Sequence, residues 1–180
     1  LEGAGEQVAL RDDPDQPAAV EDREVADPPQ LHHLLDEVEA AVATVRRAHR
    51  PVRGVSERDL PYSAGQPELA AWVHNVLTDS FLVAYQHYGP RRLSAADADR
   101  FVEEQTRIGA LLDASPLPAT AADLGRWVAE HPALARSRAQ SDAIGFLRNP
   151  PLPIAVKAGY RLLLNAAVAT MPPRIVELLG

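Results

Sequence analysis

Six histidines could carry chemistry in this chain: His32, His33, His49, His74, His87 and His131. The sequence contains no cysteine. That excludes a disulfide framework, a thiolate zinc site, an iron–sulfur cluster, a covalently attached c-type haem and a cysteine nucleophile. No two histidines stand at helical metal-binding spacing with a glutamate between them. His32 and His33 are adjacent, so they leave one helix in different directions, which argues against a zinc enzyme. His49 falls on the apolar stripe Val38, Val42, Val45, His49, Val52, with Arg46 one turn before it and Arg53 one turn after. An imidazole presented from an apolar wall is what a haem iron needs as an axial ligand, and nearby guanidinium groups suit the propionates. The commoner role for such a residue is structural, at the edge of a core and favoured by the dipole of a helix C-terminus. His74 lies beside Trp72, with Asp79 and Ser80 a turn and a half later. It could line a pocket or supply a supporting hydrogen bond, or simply be a satisfied buried histidine. A Ser80–His74–Asp79 triad is a poor candidate, because all three lie on one helix and no nucleophile elbow is present.

The elements that must position these residues are helical. From Leu31 the apolar residues recur at helical spacing as far as Val52, and Pro51 predicts an end near His49 or Arg50. Residues 53–66, with Gly54, Pro61 and Gly65, read as a loop. Pro67 and Glu68 suit the first turn of a helix that stops at Gly89-Pro90. Two apolar stripes on that helix (Leu69, Trp72, Val73, Val76, Leu77, Ser80, Ala84; and His74, Phe81, Tyr85, Tyr88) predict a central position. Ser94-Ala95-Ala96-Asp97 and Thr120-Ala121-Ala122-Asp123 are helix starts of the capping-box type. Further helices are predicted over about 133–148 and 152–170, with a short one from Pro172-Pro173. Trp72 and Trp127 are expected to be buried between helices. The predicted fold is all-α, an irregular multi-helix bundle with a disordered acidic N-terminal tail.

Charge divides along the chain. The 25 acidic and 18 basic side chains give a net charge of −7. Residues 1–30 hold nine of the acids against Arg11 and Arg23, which leaves 16 of each sign in the remainder. That first segment has four prolines and no apolar period, so it cannot bury enough surface to offset its ordering entropy. The expected division is therefore a disordered acidic tail over 1–30 and a helical domain over 31–180. A neutral body offers no electrostatic footprint for nucleic acid. Lys157, Arg161 and Asn165 draw a polar stripe along the most apolar stretch, 154–171, and argue against a transmembrane segment there. An interfacial helix fits the pattern less well than a surface helix with one wet face. With no signal peptide visible and no cysteine, the cytoplasm is the expected location.

Several stretches occur in order with family-like spacing: VRRAHRPVRG (45–54), YSAGQPELAAWVHNVLTDSFLVAYQHYG (62–89), LSAADADRFVEEQTRIGALL (93–112), LPATAADL (117–124), FLRNPPLP (146–153) and MPPRIVELLG (171–180). On these blocks the sequence resembles the bacterial oxygenase family that groups the latex-clearing rubber oxygenase catalytic domain with the fungal MpaB oxygenase. The resemblance implies an all-α domain holding a non-covalent b-type haem and activating dioxygen on a small-molecule substrate. It places the proximal iron ligand at His49, within the H-x-x-V-R-G block, with Arg46 or Arg53 near the propionates. It makes His74 a pocket or packing residue and assigns it no catalytic role. Upstream of that block the family usually has a Leu-His-Pro segment and an Arg-x-x-x-Thr helix, which form the other side of the haem pocket. Neither is found here, and Arg11 and Arg23 are not followed by threonine four residues on.

Two readings follow. One is a haem-dependent oxygenase-like enzyme. The other is a non-catalytic helical binding or partner protein that keeps the family scaffold with an incomplete pocket, which a protein partner could complete. A ligand-binding body of a transcription regulator fits the size but lacks a basic helix-turn-helix.

Overall fold

The computed structural model describes residues 28–179. The disordered tail expected over 1–30 lies outside the described residues as far as 27. The order of elements is α1 (Pro28–His49), β1 (Arg53–Val55), β2 (Pro61–Ser63), α2 (Pro67–Tyr88), α3 (Ala95–Leu111), α4 (Ala121–Glu130), α5 (Arg138–Arg148), α6 (Ile154–Ala169) and α7 (Pro173–Leu179). The chain is thus mostly helical, as the periodicity predicts. It divides into two units, with the boundary between Val38 and Glu39. In the first, the described part is the opening of α1, where His33 Nδ1 lies 3.4 Å from Glu37 Oε1 one turn on. The second unit holds every other element.

Local chemistry explains most boundaries. The α1 helix starts at Pro28, three residues before the apolar period begins, because proline in a first turn needs no amide donor. Ser94 Oγ accepts the Asp97 N–H at 3.1 Å and Thr120 Oγ1 accepts the Asp123 N–H at 3.1 Å, each opening its helix. Ser137 and Gln140 form a reciprocal capping box that starts α5 at Arg138, five residues later than the pattern at 133 predicts. Two further caps come from distant elements. Asp99 Oδ1 accepts the Ala121 N–H at 2.8 Å, tying α3 to the start of α4. Both Glu57 oxygens accept the Arg138 and Ala139 N–H groups at 2.8 Å, and these bonds hold the carboxyl below its ordinary pKa.

The segment 53–66 is more ordered than a loop. It contains an antiparallel hairpin in the register Arg53↔Ser63, Gly54↔Tyr62, Val55↔Pro61. Three-residue strands are too short to show alternation, and Pro61 is tolerated because a two-stranded ribbon has only edges. A Cβ at Gly54 would lie 2.9 Å from the Tyr62 ring, which crosses over it and would have to shift.

The core sits where α2, α3 and α4 meet. It is built from Leu82, Ala98, Val102, Leu124 and Val128, with Val76, Leu93, Phe101, Ala121, Trp127 and Ile175 against it. The buried face of α2 is not the one that apolarity predicts. Ala71, Asn75, Thr78, Asp79 and Leu82 are buried, whereas Leu69, Val73, Leu77, Phe81, Tyr85 and Tyr88 are exposed. The buried line is small or hydrogen-bonding, which lets α3 and α4 approach closely and provides partners for nearby carbonyls. Trp72 and Trp127 are half-buried rather than buried. Their ring centroids lie 5.7 Å apart, with His131 at 4.7 and 4.5 Å from them. Among the described residues no helix is long and apolar enough to cross a membrane.

Candidate functional site

His49 is the last residue of α1. Arg46, Arg47 and His49 fill the final turn, where cations and polarisable rings complement the carbonyl end of the helix. The chain then turns before Pro51: the Val52 N–H donates to the His49 carbonyl at 3.0 Å, and the hairpin follows directly. The stripe carrying His49 is largely open. Val38, Val45 and Val52 are exposed, Val42 is half-buried, and His49 itself is exposed. Its ring makes no side-chain hydrogen bond or ion pair among the described residues.

Arg46 and His74 converge on the C-terminal turn of α3 from two different helices. Arg46 donates to the Leu111 carbonyl at 2.9 Å and forms an ion pair with Asp113 at 2.8 Å. Asp113 follows the end of α3 with φ 60°, the left-handed conformation that ends helices. Both side chains are more than half exposed, so the pair contributes only about 0–1 kcal/mol and acts mainly to fix orientation. His74, half-buried on α2, packs onto α3 at Gly109 and faces the Gln105 carbonyl. Burial pulls its pKa below the ordinary value, against the smaller opposing effect of that carbonyl. The imidazole is therefore a neutral group at pH 7. Arg53 pairs through its backbone with Ser63 in the hairpin and does not join this turn.

Below His74, α2 contributes a seam of buried polar groups. The Asn75 amide donates to the Pro116 carbonyl at 3.0 Å, just after the cis Ser115–Pro116 bond. Thr78 Oγ1 returns its proton to the His74 carbonyl at 2.9 Å. Asp79 is buried, and desolvation raises its pKa. The sequence reading missed Gln105, Gly109, Asp113 and Leu117 as partners in this region. Only Gly109 left a trace, since a glycine inside an otherwise helical run marks close packing.

The donor set suits one kind of metal site better than another. Among the described residues no three His, Asp or Glu side chains cluster around a point where an ion could sit. A haem iron needs only one imidazole from the protein, and His49 offers a ring with no competing partner.

A family model described as the ER-bound oxygenase mpaB/B'/rubber oxygenase catalytic domain matches residues 31–180. The chain belongs to this family. The match runs from α1 through α7 and includes both His49 and His74. No curated protein and no solved structure is significantly similar to the chain. The oxygenase-like character of the domain follows from the family; its cofactor and substrate do not.

Proposed function

We propose that this member of the mpaB/rubber oxygenase family is a haem-dependent, oxygenase-like protein acting on a small organic substrate, with His49 as the axial ligand of a b-type haem. The observation that supports it most is that the family match covers the H-x-x-V-R-G block and α1 presents His49 at the head of that block with an uncommitted ring. When bound, the haem supplies the iron centre at which dioxygen is activated.

The chain's own residues then have definite tasks. His49, at the end of α1, would hold the iron through its imidazole. Arg53, four residues on in β1, would meet a propionate. Arg46 can do the same only by exchanging its ion pair with Asp113, so it first serves to hold α1 on the end of α3. His74, half-buried on α2, would serve as a pocket or packing residue.

The exposure of His49 and the commitment of Arg46 to Asp113 favour a second reading, in which the scaffold binds a partner and carries no haem on its own. Titrating the pure chain with haemin separates the two. The haem reading expects a saturable 1:1 Soret band that His49→Ala abolishes or strongly shifts and that His33→Ala and His87→Ala leave unchanged. Featureless uptake, identical in wild type and His49→Ala, would overturn it and leave the partner reading.

A further inference from the structure

The polar stripe of α6 is part of a built feature. Where α5 gives way to α6, Arg148, Asn149, Pro150, Lys157, Tyr160 and Arg161 line a small open notch. The Tyr160 hydroxyl donates to the Leu147 carbonyl at 2.7 Å and so fixes α6 against the end of α5. Three cationic side chains line the notch and, among the described residues, no carboxylate does, in a chain whose net charge is −7. Arg148 donates to the Leu179 carbonyl at 3.4 Å and contributes its charge from one wall. Lys157 is half-buried, yet neither it nor Arg161 makes a side-chain hydrogen bond or ion pair among the described residues. They stand four residues apart on one helix, where like charges repel. An anion bound between them would relieve that repulsion.

We propose that this notch binds a single phosphate group, held by Lys157 and Arg161 with Arg148 and the Asn149 amide on the opposite wall. Donors converging from two elements, with the charges of Lys157 and Arg161 on one of them, suit a tetrahedral dianion better than a planar monoanion. The notch is far too small to enclose a whole small molecule, so the group recognised is compact. Free phosphate would use the notch alone. A phospholipid headgroup would also draw on the exposed side chains beside it, Phe146, Ile154, Leu162 and Leu163. The site uses none of the residues assigned to haem.

The test uses the full chain and two probes. Isothermal titration with inorganic phosphate is run against chloride at matched ionic strength. Sedimentation is run with phosphatidylcholine vesicles, with and without phosphatidic acid. Lys157→Gln/Arg161→Gln keeps a polar side chain at each position and should weaken binding by roughly tenfold or more, since it removes two charge-assisted contacts. The swap Lys157→Arg/Arg161→Lys should retain binding, and Arg107→Ala, an exposed cation on α3, should behave as wild type. Saturable 1:1 phosphate binding with that pattern supports free phosphate. The same pattern seen only with phosphatidic acid vesicles supports the headgroup. Absence of saturable binding to either probe overturns the proposal, as does equal loss in the Gln pair and in Arg107→Ala, with circular dichroism confirming that each variant is folded.

Discussion

Gly109→Ala tests the lodging of His74 on α3, because the two possible signs of its effect come from different physics. In an ordinary helix interior the change stabilises by about 1 kcal/mol through propensity alone. Here the added Cβ would meet His74 Cδ2 and Leu117 Cδ2 at 2.8 Å and His74 Nε2 at 2.9 Å. Ordinary contact starts near 3.4 Å, so both neighbours must retreat by roughly 0.6 Å. Overpacking of this kind costs about 1–3 kcal/mol. Displacing the His74 ring from the Gln105 carbonyl adds about 0.5–1.5 kcal/mol. The net expectation is a loss of about 0.5–3.5 kcal/mol, or a melting temperature lower by about 1–14 °C for a domain of this size. In a His74→Ala background the larger obstacle is gone, and the same substitution should be neutral or stabilising. The double-mutant cycle, followed by urea unfolding, should therefore show coupling of about 1 kcal/mol or more. If Gly109→Ala stabilises wild type, or has the same effect in both backgrounds, His74 does not pack on α3 as described.

Leu124 is 1% exposed at the centre of the core, so Leu124→Ala should cost about 2–5 kcal/mol in chemical denaturation. Asp79, whose pKa burial raises, retains its proton in the fold at a pH where the unfolded chain has released it. Its contribution is therefore favourable below its ordinary 3.8 and is lost as pH rises, and Asp79→Asn should stabilise at pH 7 but not at pH 3. His74 and His131 behave in the opposite sense, because burial holds both below the ordinary 6.5. As pH falls through 6.5 the unfolded chain takes up protons that the fold resists, so stability should decline from there, and more shallowly in His74→Gln or His131→Phe. A flat stability profile between about pH 7.5 and 5.5 would contradict the burial of both rings.

The sequence made the helix boundaries legible where punctuation is chemical. Pro67 and Gly89-Pro90 bracket α2, and Ser94 and Thr120 open their helices through the caps that their spacing predicts. Its periodicity could not show which face of α2 is buried. Apolarity nominated the ridge through Leu69, Val73 and Leu77, but close approach of α3 and α4 selected Ala71, Asn75 and Thr78, and that choice depends on partners remote in sequence, such as the Pro116 carbonyl. The hairpin went unseen because its pairing rests on Gly54 yielding to the Tyr62 ring, a contact with no local signature. For the candidate site, the helix and the terminal position of His49 were readable from the stripe and Pro51. The surroundings of Arg46 were not, since Leu111 and Asp113 lie more than sixty residues away along the chain.

The carboxylate of Glu57 reaches across 81 and 82 residues to close the first two amides of α5. An isolated α5 of 11 residues is too short to sustain itself, and it has no internal partner for those amides. Its start is thus a readout of whether the β1–β2 turn is seated. In hydrogen exchange the Arg138 and Ala139 amides would be protected only while that turn is docked, so they form a built-in gauge of an opening that leaves the α2–α3–α4 core intact. The hairpin begins four residues after His49, so the clasp ties the start of α5 to the chain that leaves the end of α1.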